Sequence, residues 1–386
     1  MLAATRIDLP PTAAKNPLSR NARTSDPRVR RARNSVLIGL IVFAALIATV
    51  HAKFDGPQRD PVYYLRWSRL IQQIHASPVK PYTVVMLGTS RTFNGFRPTS
   101  LKVPLTRALN RPVVAGNFGL PGCCASMHLL TWNRLLRDGA RPDLVLIEVM
   151  PAQLMVGWSP VELAAERLPL CRLRLCDLPI LSKYFSDIRP GISHDWWLAQ
   201  PAALYDYRLA MLSKIAPNLL PSEHVVALEK ETVLPEDLPP TPLVITAEGH
   251  EWNMKHSRGQ YAAGLQNFHV GGRCCAEFRE LLVQVQRDGA KAVLVVMPEG
   301  PEFRSWYKPG DFQQIYDFLG KLRAEFGVAV VDAHEWMAEA DFYDSHHLTQ
   351  DGAAKFTTRL GEECLVPLLQ GRSDSPVLHG PQASAR

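Results

Sequence analysis

The sequence predicts an α/β fold: a three-layer α/β/α sandwich around a mostly parallel five-stranded sheet, behind one N-terminal transmembrane helix and with a large insertion after the third strand. Three observations carry this reading. Five short runs rich in apolar and β-branched residues alternate with stretches of helical length and periodicity, the pattern of parallel strands buried on both faces. An uncharged run of 18 residues, Ser35 to Ala52, precedes them, close to the roughly 20 that cross a bilayer as a helix. Between about Pro151 and Gly272 the alternation stops, and aromatic and Pro-rich segments take its place.

Residues 1–34 carry eight basic side chains against Asp8 and Asp26, a net of +6, which is the formal charge of the whole chain. The remainder is balanced, with 35 basic and 35 acidic residues. A nucleic-acid-binding domain would hold its surplus on the folded body as a patch or stripe, so that class is excluded as an expectation. The arginines at 28, 30, 31 and 33 lie directly before the apolar run. By the positive-inside rule they predict residues 1–34 as a cytoplasmic tail, 35–52 as a single span of the inner (plasma) membrane, and the rest as periplasmic or extracellular. A cleaved signal peptide, with Val50-His51-Ala52 as processing site, is the competing reading; the basic segment and the apolar run are both long for one.

A linker and lead-in helix follow at 53–80, with Pro/Gly/Asp character to Val62 and helical spacing from Tyr63 to His75. The main domain is expected at 81–371. Its strands are predicted at Tyr82 to Leu87, Val113 to Ala115, Asp143 to Ile147, Lys291 to Met297 and Val328 to Val331. Helices are predicted at Cys124 to Arg137, Arg273 to Arg287 and Phe312 to Phe326. Residues 151–272 read as an insertion or cap. Its aromatics, among them Trp158, Trp196, Trp197, Tyr205 and Trp252, suit a small core or a sugar-stacking surface. Residues 372–386 read as a disordered tail. Seven cysteines fit an oxidising compartment, and Cys171 and Cys176 are close enough to close a loop. No C-x2-C or H-x3-H spacing occurs, so no metal and no cofactor are expected.

In an open α/β sheet, ligands bind at the carboxyl ends of the strands. After the first predicted strand stands Gly88-Thr-Ser90-Arg91, and after the second Asn117-Phe-Gly119-Leu-Pro-Gly122. Beyond the fifth comes Asp344-Ser-His-His347-Leu348, then Thr349-Gln-Asp-Gly, a capped helix start. A serine becomes nucleophilic when a neighbouring base takes its proton and a third group orients that base. Ser90, His347 and Asp344 are the candidates, with His346 the rival base; the three-residue spacing from Asp344 and the following leucine favour His347. The N–H groups of Ser90 and Gly119 are candidate oxyanion donors, and Arg91 and Asn117 candidate substrate contacts. The pair Asp332 and His334 reads as structural, and Cys123, Cys124 and His128 as helix packing or a disulfide.

Together these blocks resemble the SGNH (GDSL) hydrolase superfamily over about residues 80 to 370, insertion aside. Gly88-Thr-Ser90 corresponds to the Gly-Asp-Ser block with Thr89 in place of Asp, Asn117-x-Gly119 to the second block, and Asp344-x-x-His347 to the last. The third block departs: after Val145-Leu-Ile-Glu148-Val-Met-Pro151 there is no Gly-x-Asn-Asp, so one oxyanion donor has no counterpart. In this the chain is similar to a membrane-anchored bacterial branch acting on envelope polymers, such as alginate O-acetylation proteins and the D-alanyl transfer protein of teichoic acid synthesis. The resemblance implies a membrane-tethered serine esterase or O-acyltransferase with a Ser-His-Asp triad. Its substrate would be an acylated polysaccharide or small acyl ester, and its partner a multi-pass membrane acyltransferase. The alternative is a non-catalytic scaffold of the same fold that binds polymer or that partner. A histidine base further predicts that activity falls on acidification.

Overall fold

The computed structural model describes residues 26–157, 172–184, 191–199, 207–219 and 246–372. The rest of the basic tail, Trp158, Cys171, Tyr205 and residues 373–386 lie outside them. The chain divides into two units, Met1–Thr49 and Val50–Arg386.

The first unit holds most of helix α1, Pro27–Phe54. It starts before the apolar run because nothing after Pro27 breaks a helix, and proline is tolerated at the first helical position. From Pro27 to Lys53 it is long and apolar enough to cross a membrane, with mean hydropathy 2.4 over its most apolar 18 residues. Leu37, Ile38 and Ile41 are exposed, unlike the inward stripe of a core helix.

The second unit opens with α2, Pro61–Ala76, capped by the Asp60 side chain on the Tyr63 N–H. Then follow β1 (Tyr82–Gly88), α3 (Ser90–Gly95), α4 (Pro98–Leu109), β2 (Val113–Gly119), α5 (Ala125–Arg137) and β3 (Leu144–Val149). Short helices α6 (Leu178–Tyr184), α7 (Ile192–Ala199) and α8 (Arg208–Ile215) and the long α9 (Ala247–Leu265) lie between β3 and β4. The chain continues through α10 (Arg273–Arg287), β4 (Lys291–Val296), α11 (Pro301–Arg304), α12 (Asp311–Phe326), β5 (Ala329–Asp332) and α13 (Gln350–Arg359).

All five strands are parallel, in the order β2-β1-β3-β4-β5. Alternate residues of each strand face opposite layers. Val85, Leu87, Ile147, Leu294 and Val330 pack with α5, α10 and α12. Val84, Met86, Leu146, Val293 and Val331 pack with Leu101 and Leu105 of α4 and Phe356 of α13. Helices thus cover both faces, the three-layer α/β/α architecture expected above. In this strand order the connections leave β1 in opposite directions, which puts the switch point at the carboxyl ends of β1 and β3.

Strand β2 runs four residues past the expected end at Ala115, so Asn117 and Gly119 lie inside it, paired with Met86 and Gly88. Gly116 reads as a breaker, yet its missing side chain is what admits Leu70 of α2: a Cβ there would stand 3.2 Å from the Leu70 side chain. In the segment between β3 and β4, Tyr184, Trp196 and Tyr261 join the core beneath β3, whereas Trp197 and Trp252 are exposed. The six described cysteines are free thiols, with Cys123, Cys124 and Cys274 buried; burial pushes these three thiols up.

Candidate active site

Strand β1 delivers Gly88 to a tight turn from which α3 starts at Ser90. The turn is built on a buried carboxylate. Glu148, near the end of β3 and 0% exposed, accepts four hydrogen bonds: from Thr89 N–H at 2.7 Å, Thr89 Oγ1 at 2.7 Å, Thr92 N–H at 3.1 Å and Thr92 Oγ1 at 2.6 Å. Carboxylates are favoured at helix N-termini, where unpaired N–H groups and the dipole point outward. Gly88 is required here, since a Cβ would stand 2.3 Å from Glu148 Oε2. Arg91 N–H donates to Thr89 Oγ1 and Phe93 N–H to Thr89 O. By elimination, Ser90 keeps the one main-chain N–H of residues 89–93 that has no acceptor among the described residues.

Arg91, a candidate substrate contact, is turned into the interior. It is 1% exposed, and its Nη1 donates to buried Glu299 Oε1 at 2.7 Å. Its guanidinium lies over the Phe303 ring, and Tyr307 OH donates to the same Glu299 oxygen. A carboxylate three residues past the end of β4 therefore draws the side chain into the interior. Asn117 is turned inward as well. Its Nδ2 donates to the carbonyls of Thr92, Phe93 and Phe96, and its Oδ1 accepts from Gly119 N–H at 2.8 Å.

That last bond bears on the oxyanion assignment. Gly119 N–H, expected to be free, is occupied by Asn117, because strand β2 extends through both residues. A glycine is still needed there, since a Cβ would stand 2.3 Å from Phe93 N. The next turn runs beside the end of β1: Leu120 N–H and Cys123 Sγ both donate to Gly88 O, at 2.8 and 3.1 Å. Between them Gly122, at φ 71°, has an N–H with no acceptor among the described residues.

The base loop follows β5. Phe342 and Leu348 form an antiparallel bridge, and Tyr343 N–H donates to His347 O at 2.8 Å. Ser345 is buried at φ 64°, a left-handed conformation that a non-glycine residue holds only when its surroundings dictate it. Its Oγ donates to Glu339 and accepts from Phe303 N–H, and its carbonyl accepts from Gly300 N–H. The resulting bend lets Asp344 Oδ1 accept from His347 N–H at 2.8 Å while Oδ2 meets His347 Nδ1 at 2.7 Å. His347 Nε2 in turn stands 2.7 Å from Ser90 Oγ. Burial alone would raise the Asp344 carboxyl, but hydrogen bonding and charge from His347, with a contribution from His346, hold it well below the usual carboxylate range.

The rival His346 faces inward, 3% exposed, and burial and the neighbouring His347 push its pKa well down. Asp332 and His334 pair at 2.6 Å, with Phe312 stacked on the histidine, and Tyr316 OH donates to Asp332. Ligand atoms of Asp344, His346 and His347 lie within 4.8 Å of one another, but both nitrogens of His347 already serve the contacts to Asp344 and Ser90. Sequence reasoning missed Glu148 and Glu299. The available signal was a lone acid at the carboxyl end of a buried parallel strand, where an uncompensated charge is costly and therefore meaningful.

A family model that carries no description matches residues 276–368. No curated protein matches the chain. Among solved structures, Axe2, an acetylxylan esterase from Geobacillus stearothermophilus, is 11% identical over 73% of this chain and 93% of its own, with a TM-score of 0.33. A candidate acylhydrolase from Bacteroides fragilis is 11% identical over 80% of this chain and 98% of its own, with a TM-score of 0.34. The three-layer fold is evident in the strand order and two-faced core of the chain itself.

Proposed function

We propose that the chain is a membrane-tethered serine esterase or O-acyltransferase of the SGNH type, acting on acyl esters of an extracytoplasmic polysaccharide. The observation that carries this reading is the unbroken line of hydrogen bonds from Ser90 Oγ through His347 to Asp344, 2.7 Å at each step, at the sheet's switch point.

Ser90 Oγ adds to the acyl carbon while its proton passes to His347 Nε2. Asp344, ionised, holds the Nδ1–H tautomer and stabilises the imidazolium that forms. The oxyanion is received by Ser90 N–H and, in place of Gly119, by Gly122 N–H, the unpaired donor of the adjoining turn. Collapse of the tetrahedral adduct breaks the ester bond, returns the proton to the leaving alcohol and leaves Ser90 acylated. Water or a polymer hydroxyl then attacks, giving its proton to His347 and restoring Ser90. Both acceptors use the same residues. A multi-pass membrane acyltransferase is the partner that would supply acyl groups on the exported face, and helix α1, with arginines on its N-terminal side, is the tether.

The test is hydrolysis of a small acetyl ester by the full-length chain in detergent. Ser90→Ala and His347→Ala are expected to lower kcat by about 10³-fold or more. Wild-type activity in either variant refutes the assignment.

A further inference from the structure

Helix α9 comes from the segment between β3 and β4, which the catalytic reading above does not use. It nevertheless lies along the base loop. His250 Nδ1 reaches Tyr343 O at 3.2 Å. Ser257, 3% exposed, shares a hydrogen bond of 3.2 Å with His346 Nδ1. Tyr261 packs edge-on to the His346 ring at 5.1 Å. These positions, seven and four apart, recur on one helix face. The His346 ring in turn lies 3.9 Å, centroid to centroid, from that of His347.

We propose that Ser257 is a positioning residue for the base: by fixing the His346 ring it holds His347 between Asp344 and Ser90, and so ties the inserted segment to catalysis. The inference rests on the serine-hydrolase reading of the site. Two imidazoles in contact cannot both carry charge cheaply, so the site works only if His346 stays neutral when His347 takes the Ser90 proton. The groups facing His346 are Ser257 and Tyr261 from α9, Phe303 from α11, Arg91 from α3, and Asp344 and His347 from its own loop. Burial among them, together with the charges of His347 and Arg91, opposes protonation, and Asp344 favours it. Ser257 is the polar contact from the helix side, meeting the same Nδ1 that lies 3.3 Å from Asp344 O and 3.2 Å from Asp344 Oδ1.

The experiment compares Ser257→Ala and Ser257→Thr with wild type and Ser90→Ala in the full-length chain, on 4-nitrophenyl acetate across pH 5 to 9. Ser257→Ala is expected to lose about tenfold in kcat with KM unchanged, the effect of one hydrogen bond. Its acid limb should also steepen, as His346 gains water and a second proton enters the site. Ser257→Thr, which keeps the hydroxyl, is expected to restore both. Activity abolished by Ser90→Ala but unchanged in kcat and pH profile by Ser257→Ala overturns this inference alone. So does a threonine variant no better than alanine. Activity that survives Ser90→Ala overturns the proposed function and this inference with it.

Discussion

Replacing Glu148 separates the carboxylate's two tasks, holding the turn and holding the nucleophile. Oε2 takes three of the four donors, Thr89 N–H, Thr92 N–H and Thr92 Oγ1, and Oε1 takes Thr89 Oγ1. A glutamine can place its one carbonyl at the Oε2 position and keep three bonds, now to a neutral acceptor. Its amide then faces Thr89 Oγ1, which must turn its proton away. Hydrogen bonds to charged groups contribute about 1.5–3 kcal/mol and neutral ones about 0.5–1.5. Three weakened bonds therefore cost roughly 3 kcal/mol, offset in part by relief of the buried charge. Glu148→Gln should fold with a stability loss of roughly 1–3 kcal/mol. Its kcat should fall roughly 10- to 100-fold at unchanged KM, since Ser90 sits between the two threonines and small misplacements are costly. Glu148→Ala leaves four donors without an acceptor, at about 1–3 kcal/mol for each that stays buried. That sum approaches the whole stability of a typical domain, about 5–15 kcal/mol. Thermal unfolding and ester hydrolysis measured side by side check both. An alanine variant with wild-type Tm, or a glutamine variant with wild-type kcat, refutes the reasoning.

Three further outcomes are expected. Asp344→Asn should lower kcat by about 10³ to 10⁴-fold, because the amide no longer selects the Nδ1–H tautomer of His347; more than a tenth of wild-type turnover contradicts this. Buried His128 is held neutral by desolvation, its pKa pushed down to about 4 from 6.5. The unfolded chain therefore binds a proton that the folded chain refuses. The stability tied to this group is present above about pH 6.5 and is lost as pH falls toward 4, by roughly 3 kcal/mol at most. Urea unfolding should show wild type losing that much more than His128→Gln between pH 7 and 4, and parallel curves refute it. Arg91→Met should cost about 3–5 kcal/mol by leaving Glu299 buried and unpaired, and Arg91→Met with Glu299→Gln should recover most of the loss; equal stability of the single and double variants argues against the pair.

The strands were legible because parallel strands buried on both faces carry apolar runs, and Val84 to Leu87 and Ala292 to Met297 are such runs. The end of β2 was not, because Gly116 and Asn117 have the composition of a turn and the helix that Gly116 admits is distant in sequence. Ser90, His347 and Asp344 could be read from residue type, order and the three-residue spacing, since a loop can carry a base and its orienter together. Arg91 and Asn117 looked like substrate ligands for the opposite reason. Their polarity was visible, but the partners that turn them inward, Glu299 and the carbonyls of α3, were not. Glu148 was noticed only as the absence of an expected block. Its meaning depends on donors 59 and 56 residues away, a pairing that no local pattern encodes.

The central claim is that Ser90 is a nucleophile activated by His347. The most direct measurement is reaction of the full-length chain with a fluorophosphonate, followed by mass analysis of the peptide containing Ser90. The account predicts a single phosphonyl adduct on Ser90, absent in Ser90→Ala and slowed at least about 10³-fold in His347→Ala. A wild-type chain that stays unlabelled, or one labelled equally well without His347, contradicts it.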